Sequence, residues 1–214
     1  MNETFENMDR MYRLQRYFYD ATRKYYLLGR DRLLTELDVK PNEQVLEIGC
    51  GTARNLIILA RRHPDATLFG LDASMAMLKT ARRKINNAKA ANVTLNTGLA
   101  NDLSFDATFG LGCAFDKIFF SYSISMIPCW QEAIDRALAN LKPGGQLFIV
   151  DFYDQEQFPV MFRKTLTWWL NKFHVTYWQG LIPYVRSLES TGSAKVWITP
   201  LFRRYSFLLQ IRKQ

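Results

Sequence analysis

The stretch that most constrains this chain is VLEIGCGTARN, residues 45–55, in which an apolar segment runs into a glycine loop and then into a helix-forming segment. Gly49 and Gly51 allow the backbone to turn sharply and to approach a ligand closely. A helix that begins behind such a loop presents N–H groups and the positive end of its dipole. Asp72 ends the next predicted strand, 21 residues after Gly51, where dinucleotide-binding folds carry the acid that hydrogen-bonds ribose. A G-x-G pair alone fits any tight strand–helix turn, but this spacing favours a nucleoside-binding site.

Two residues distinguish among nucleoside ligands. Arg54 stands near the position where the dinucleotide fingerprint has its third glycine. Glu47, just before the loop, would repel a pyrophosphate and suits a ligand with a cationic amine. S-adenosylmethionine has a ribose, an α-amino group and a sulfonium, and it has no phosphate. We therefore predict S-adenosylmethionine, rather than NAD, as the cofactor.

Strands and helices are predicted to alternate along most of the chain. The predicted strands cover residues 44–48, 67–71, 93–96, 115–121 and 147–152, and a closing strand pair covers residues 195–199 and 204–211. The predicted helices cover residues 10–28, 30–37, 55–62, 75–85 and 131–140, with Ser74 as an N-cap and LKPGGQ, residues 141–146, as a turn. Such alternation predicts a doubly wound α/β sheet.

A length of 214 residues predicts one domain. We divide it into N-terminal cap helices at 1–40, a cofactor-binding core at 41–157, a basic, tryptophan-rich helical insertion at 158–190 and closing strands at 191–214. The insertion is predicted to be helical, with Phe162, Leu166, Trp169, Leu170 and Phe173 on one side.

Four motifs over residues 40–152 resemble those of the class I S-adenosylmethionine-dependent methyltransferases. They are VLEIGCGTA, LDASMAMLKTA, FDKIFFSYSI and LKPGGQLFIVDF. The resemblance implies a Rossmann-like α/β fold with a mostly parallel seven-stranded sheet, N-terminal capping helices and a helical insertion before the last strands. It also implies S-adenosyl-L-methionine as the methyl donor and S-adenosyl-L-homocysteine as the product.

The same resemblance assigns site residues. Around the cofactor it places Glu47, Gly49, Cys50, Gly51, Asp72, Ala73, Met77, Leu99, Ala100 and Ser121. Tyr122, which follows the fourth strand, is a candidate for contact with the substrate. Many relatives carry an acid where Leu99 stands, and Asn101 or Asp102 is the candidate replacement.

A narrower resemblance lies outside this core. YDATRKYYLLGRDRLL, residues 19–34, and WWLNKFHVTYW, residues 168–178, are similar to segments of the methyltransferases that complete betaine lipids. This implies that the chain N-methylates diacylglyceryl-homoserine three times.

Residues 10–30 combine an apolar stripe with a second line of tyrosines and arginines. The apolar stripe consists of Leu14, Phe18, Ala21, Tyr25 and Leu28, and the opposite line of Tyr12, Arg16, Tyr19, Arg23, Tyr26 and Arg30. One interpretation is an ordinary amphipathic helix whose arginines extend into solvent. The other is a cap over the cofactor pocket, because tyrosine faces attract cationic amines and arginine binds carboxylates. The candidates are Tyr19, Arg23 and Tyr26 for the substrate, and Tyr25 and Arg30 for the cofactor.

The net charge of +8 comes from the last quarter of the chain. Residues 158–214 carry nine basic residues and one acid, whereas the charges of residues 1–157 cancel. Four of the five tryptophans, Trp168, Trp169, Trp178 and Trp197, lie in this quarter as well. This composition predicts a lipid substrate at an anionic membrane surface, with a tryptophan-filled core beneath a substrate lid as the alternative.

Composition also bears on whether the chain has a metal site, a catalytic base or a membrane span. Three scattered cysteines and two isolated histidines predict no metal site, and we expect no dedicated catalytic base. No apolar run reaches the roughly 18 residues of a membrane span, and the N-terminus lacks a signal-peptide pattern. We therefore expect a cytoplasmic protein, peripheral at the inner face of the membrane.

Three alternatives to this function stay open. Another lipid amine, such as phosphatidylethanolamine, or a quinone-like small molecule is an alternative acceptor. No Asn-Pro-Pro-Tyr-type motif follows the fourth predicted strand, so a nucleic-acid partner is not expected despite the basic charge. A cofactor-binding module without activity is the alternative to an enzyme.

Overall fold

The computed structural model of the chain describes residues 27–171 and 177–214. The predicted helix at residues 10–28 lies almost wholly outside these residues, and Leu27 and Leu28 lie outside any helix. The helices are α1 (Arg30–Glu36), α2 (Arg54–Arg62), α3 (Met75–Ala88), α4 (Phe105–Phe109), α5 (Trp130–Ala139), α6 (Val160–Asn171) and α7 (Leu181–Ser190). The strands are β1 (Gln44–Ile48), β2 (Thr67–Asp72), β3 (Val93–Thr97), β4 (Phe115–Ser121), β5 (Leu141–Phe152), β6 (Ala194–Leu201) and β7 (Ser206–Lys213).

The strands form a seven-stranded sheet in the order β3-β2-β1-β4-β5-β7-β6. Strands β1 to β5 pair in parallel, whereas β7 is antiparallel to both β5 and β6. The strand order reverses between β1 and β4, and in such sheets ligands bind at this reversal, beyond the carboxyl ends of the strands. The predicted mostly parallel seven-stranded sheet is confirmed.

The central strands are buried on both faces of the sheet. Every residue of β4 except Asp116 is buried. Phe119 belongs to one hydrophobic cluster, and its neighbours Ile118 and Phe120 belong to a second. Because successive side chains of a strand point to opposite faces, the two clusters lie on the two sides of the sheet. This explains why the β4 sequence is apolar on both faces.

Two local features differ from the sequence prediction. The sequence predicts a turn at residues 141–146, but these residues belong to β5. The pairing of β5 with β4 jumps from Phe115–Leu141 to Lys117–Gln146, so a bulge takes up the extra residues. The short helix α4 has no counterpart among the predicted helices, although Ser104 caps it by accepting a hydrogen bond from the Ala107 N–H at 3.2 Å.

The predicted cap of α3 is confirmed. The Met77 N–H donates to Ser74 Oγ at 3.3 Å, so the hydroxyl satisfies an N–H group that has no partner within the helix. Since Ser74 follows Asp72 by two residues, the cap sets where α3 begins relative to the end of β2.

Helices α6 and α7 occupy the predicted insertion between β5 and β6. Leu181 and Val185 anchor α7 in the core, and Leu170 anchors the end of α6. Phe173, predicted on the apolar side of the insertion, lies outside the described residues. None of the helices in the described ranges is both long and apolar enough to cross a membrane.

Candidate functional site

A cavity of about 310 Å³ opens at the carboxyl ends of β1, β2 and β4. Its lining consists of Ile48, Gly49, Gly51, Leu71, Asp72, Ala73, Met77, Gly98, Leu99, Ala100, Asn101, Tyr122, Ser123, Met126, Ile127, Pro128 and Cys129. Small-molecule sites usually have volumes of roughly 300–1,000 Å³ and mostly apolar walls with a few polar groups. This cavity lies at the small end of that range and at the point where the strand order reverses.

The glycine loop after β1 forms the floor of the cavity. Gly49 has φ +73°, a conformation that side chains disfavour. A Cβ atom there would collide with Cβ of Ser123 and lie 2.9 Å from its Oγ. Ser123 in turn donates from Oγ to the Ile48 carbonyl at 2.8 Å, which holds the chain after β4 against the end of β1. Both the backbone angle and the close packing therefore require glycine at position 49.

Asp72 is oriented by the backbone on either side of it. The Gly51 N–H donates to Asp72 Oδ2 at 2.7 Å, and the Ser74 N–H donates to Oδ1 at 2.8 Å. Each oxygen of a carboxylate can accept more than one hydrogen bond. Asp72 also lines the cavity, so it is held where it can accept hydrogen bonds from ribose hydroxyls.

A second wall of the cavity is apolar. Met77 from α3, together with Leu99 and Ala100 from the loop after β3, lines this wall, and Asn101 lies beside them. Such a wall suits a flat, weakly polar ring, and an amide can pair with a purine edge. Of the two residues considered for the adenine amino group, Asn101 lines the cavity, whereas Asp102 is exposed and does not.

These features fit the cofactor expected from the sequence. The glycine loop gives backbone access to an amino-acid tail, Asp72 gives an acceptor for the ribose, and the apolar wall gives a surface for adenine. Gly49, Gly51 and Asp72 would hold one half of S-adenosylmethionine, and Met77, Leu99, Ala100 and Asn101 the other.

Tyr122 lines the cavity from the position directly after β4. Its hydroxyl donates to the Leu28 carbonyl, which also accepts a bond from Ser206 Oγ at 3.2 Å. Burial raises the pKa of the Tyr122 phenol well above its ordinary value, so the group stays protonated at neutral pH. Tyr122 thus joins the cavity to the segment that enters α1.

Four predicted site residues in the described ranges do not line the cavity. They are Arg30, Glu47, Cys50 and Ser121, all of them buried. Glu47 accepts a hydrogen bond from Asn55 Nδ2 at 2.7 Å, so it connects β1 to α2. Their contacts with a ligand stay predictions. Tyr19, Arg23, Tyr25 and Tyr26 lie outside the described residues.

One wall of the cavity is absent from the sequence prediction. It is formed by Ser123 and by residues 126–129, which follow β4 through a short 3₁₀ turn at Ile124–Met126. In the sequence, these residues are indicated only by their position after the fourth strand, because the loops after β1, β2 and β4 all meet at the reversal of strand order. No particular residue type marks a chain segment that contributes an apolar wall.

A family model described as a methyltransferase domain matches residues 39–192 of this chain. The demethylmenaquinone methyltransferase of Listeria welshimeri is 31% identical over 129 residues, which are 60% of this chain and 52% of that protein. The carboxy-S-adenosyl-L-methionine synthase of Campylobacter fetus subsp. fetus is 33% identical over 115 residues, 53% of this chain and 46% of that protein. The chain thus spans about half the length of these curated relatives.

Solved structures share the same fold. The phosphoethanolamine N-methyltransferase 2 of Haemonchus contortus, in complex with S-adenosyl-L-methionine, has a TM-score of 0.70 at 16% identity, and the match covers 86% of this chain and 52% of that one. A SAM-dependent methyltransferase from Aquifex aeolicus has a TM-score of 0.62 at 18% identity, and the match covers 99% of this chain and 98% of that one. At these identities the likeness shows the fold alone.

Proposed function

We propose that this chain, which belongs to the class I S-adenosylmethionine-dependent methyltransferases, methylates the amino group of diacylglyceryl-homoserine three times to form a betaine lipid. The cofactor of the family is S-adenosyl-L-methionine. When bound, it supplies a methyl group activated by attachment to a sulfonium.

The protein's task in such a reaction is alignment and exclusion of water. The glycine loop and Asp72 would fix one end of the cofactor, and the wall of Met77 and Leu99 the other. The end of β4, with Tyr122 and Ser123, would border the acceptor. Holding two reactants in line supplies much of the rate enhancement in transfers of this kind.

The titratable groups of the cavity support an amine as the methyl acceptor. Among the lining residues that the structure describes, these groups are Asp72, Tyr122 and Cys129. Burial raises the pKa values of the Tyr122 phenol and the Cys129 thiol, so neither is a base at neutral pH. Asp72 is engaged by the Gly51 and Ser74 amides.

An amine suits such a cavity better than a carbon nucleophile. An amine can lose its proton to water before it attacks. Its lone pair would then form the new bond to the methyl carbon as the methyl–sulfur bond breaks, and the bonding pair stays on the sulfur of the departing S-adenosylhomocysteine. A ring carbon must lose a proton after the new bond forms, and a positioned base assists that step. The scarcity of bases in the described lining therefore favours nitrogen as the acceptor atom.

A quinone acceptor is the second candidate. The observation that favours it is the 31% identity to a demethylmenaquinone methyltransferase over 129 residues. Both acceptors have an apolar tail, so the chemistry of the methylated atom is what separates them.

A labelling experiment separates the acceptors. Purified protein and S-adenosylmethionine labelled in its methyl group are added to lipid extracts with and without diacylglyceryl-homoserine. We expect label in the lipid phase only when the homoserine lipid is present, and mass spectrometry should find products with one, two and three added methyl groups. Label in phosphatidylethanolamine or in a quinone fraction instead would replace the proposed acceptor.

A further inference from the structure

The exposed apolar side chains of the described residues are concentrated in one part of the molecule. Seven large apolar side chains in residues 27–171 and 177–214 are exposed, and five of these belong to α6 or to the turn between β6 and β7. They are Val160, Met161, Phe162, Trp168 and Phe202. Met161 is 83% exposed and Trp168 60%, values that leave most of each side chain in contact with water. Contiguous exposed apolar groups commonly mark a binding surface.

Contacts on the protein join the turn to the helix. Phe158 stacks on Phe162 with ring centroids 4.7 Å apart. The guanidinium of Arg203 lies 5.2 Å from the centre of the Phe158 ring, and its Nη2 donates to the Gln157 carbonyl at 2.8 Å. Phe202 precedes Arg203, so the turn lies beside the beginning of α6. We call α6 and residues 202–203 together the α6 surface.

Basic side chains accompany these apolar groups. Lys164 and Arg203 are exposed, and Arg163 is half-buried. Residues 158–214 contain a single acid, Glu189, which pairs with Arg186 at 2.8 Å. Apolar side chains with interspersed cations match the interface of an anionic bilayer, where apolar groups enter the acyl boundary and cations meet phosphates.

The acids nearest to the α6 surface along the chain do not cancel its charge. Asp154 and Glu156 precede α6, and both pair with Arg204. Arg204 offsets one of these two acids, and Arg163, Lys164 and Arg203 together outnumber the other. Residues 154–164 and 203–204 therefore keep a net charge of +2 toward an approaching bilayer.

A row of packed aromatic rings, partly inside the core, links the α6 surface to the cavity. Tyr122, which lines the cavity, packs on Phe152 with ring centroids 4.8 Å apart. Phe152 packs on Tyr205 at 5.7 Å, and Tyr205 packs on Phe158 at 6.5 Å. Phe158 then stacks on the exposed Phe162. A row of aromatic rings therefore connects the place where an acceptor would be methylated with the exposed face of α6.

The sheet topology puts both features at one edge. Helix α6 follows the carboxyl end of β5, which is parallel to β4. Strand β6 also ends at this edge, because it and β5 are each antiparallel to β7, where Ser206 pairs with both Phe152 and Leu201. The cavity opens beyond β1, β2 and β4 at this same edge, so a bilayer touching α6 would lie on the side from which a lipid headgroup enters.

We propose that the α6 surface docks on an anionic lipid bilayer. Met161, Phe162, Trp168 and Phe202 enter the interface, and Lys164 and Arg203 meet lipid phosphates. This inference rests on the proposed function, because a bilayer held there would present a lipid acceptor at the edge of the sheet where the cavity opens.

The structure also divides the tryptophans of the C-terminal quarter. Trp168 belongs to the α6 surface. Trp178, in contrast, donates from Nε1 to the Ile124 carbonyl at 3.0 Å and packs against the core. Docking on a bilayer therefore uses some of the aromatic residues concentrated in residues 158–214, such as Trp168, while others, such as Trp178, pack in the core.

Binding to vesicles tests the surface without reference to methyl transfer. The full chain is floated with vesicles of equimolar phosphatidylcholine and phosphatidylglycerol, and with vesicles of phosphatidylcholine alone, neither containing diacylglyceryl-homoserine. We expect binding to the anionic vesicles and at least about tenfold weaker binding to the neutral ones, since several cations contribute. Equal binding to the two compositions, or binding to neither, would overturn the proposal.

Variants then locate the surface. Lys164→Gln should weaken binding to the anionic vesicles roughly fivefold, the effect of one cation near such a surface. Met161→Gln should weaken it by a comparable factor through the loss of apolar insertion. Lys195→Gln and Trp197→Ala, which alter exposed side chains of β6 outside the α6 surface, are the matched controls and should bind as the original chain does. Controls that weaken binding as much as the α6 variants would show that the surface is misplaced.

A separate assay distinguishes failure of the surface from failure of the acceptor. Methyl transfer to diacylglyceryl-homoserine in detergent micelles does not need a bilayer. Transfer in micelles by a chain that does not bind vesicles would reject the surface and keep the acceptor. Vesicle binding located on α6, without methylation of the homoserine lipid, would keep the surface and reject the acceptor.

Discussion

The cavity and the α6 surface lie at one edge of a shared sheet, yet they are built on different principles. The cavity depends on backbone geometry, because Gly49 must adopt φ +73° and two backbone amides must hold Asp72. The α6 surface depends on which side chains face water, and its backbone is an ordinary helix. Adding or removing a few atoms in the cavity should therefore change stability or cofactor affinity strongly. Substitutions on the α6 surface should each weaken bilayer binding by a modest factor, and these factors should combine.

The largest effect is expected from Gly49→Ala. The added methyl group collides with Cβ of Ser123, and the positive φ adds strain. Strain of about 1–2 kcal/mol and overpacking of about 1–3 kcal/mol together should lower the free energy of unfolding by about 2–5 kcal/mol. Denaturant unfolding measures the loss, and calorimetry should detect no cofactor binding.

Gly110→Ala is the matched control for that substitution. Gly110 also has a positive φ, +68°, but a Cβ atom there would have nothing within 4 Å. Only the strain of about 1–2 kcal/mol should remain, with cofactor affinity unchanged. Gly49→Ala and Gly110→Ala could instead lose the same stability and both bind cofactor. That result would show that the close packing of Gly49 against Ser123 does not determine the shape of the glycine loop.

Asp72→Ala should have the next largest effect. It removes the acceptor for the ribose and for the Gly51 and Ser74 amides, a loss of about 1–3 kcal/mol in cofactor binding free energy, or roughly 5- to 150-fold in Kd. Calorimetry with S-adenosylmethionine measures it. Asp102→Ala removes a nearby exposed carboxylate that does not line the cavity, and its Kd should stay unchanged. Unchanged affinity in Asp72→Ala would contradict the assignment of the ribose.

The sequence predicts the cavity better than the α6 surface, for physical reasons. A glycine loop, an acid at the end of the next strand and an apolar central strand are each required by backbone geometry or burial, so they leave fixed spacings in the sequence. The predicted site residues that line the cavity are Gly49, Gly51, Asp72, Ala73, Met77, Leu99, Ala100 and Tyr122. The wall at residues 126–129 is formed by the packing of a loop, and loop packing produces no fixed spacing of residue types in the sequence.

The C-terminal quarter is harder to predict because its composition does not determine orientation. Helical spacing places Phe162 on the same face as Leu166 and Leu170, yet Phe162 is 46% exposed, whereas Leu170 is buried. Four tryptophans in a basic segment fit either a core or a membrane surface. Only the packing separates them, since Trp169 packs on the hydrophobic cluster and Trp168 faces water.

Trp178→Phe should have a smaller effect on stability than the substitution at Gly49 and tests that separation directly. Trp178 is half-buried, and its ring centroid lies 6.4 Å from that of Trp130. Phenylalanine keeps an aromatic ring there but removes the donor to the Ile124 carbonyl, so the free energy of unfolding should fall by about 0.5–1.5 kcal/mol. Thermal or denaturant unfolding measures this loss, and binding to anionic vesicles should not change.

Trp168→Ala is the counterpart on the α6 surface. Because Trp168 is exposed, its loss should change the free energy of unfolding by no more than about 0.5 kcal/mol, while binding to anionic vesicles should weaken. Trp178→Phe is thus expected to lower stability and leave vesicle binding unchanged, whereas Trp168→Ala is expected to weaken vesicle binding and leave stability nearly unchanged. A Trp178→Phe chain with full stability and weakened vesicle binding would move Trp178 from the core to the membrane and remove the distinction between the two regions.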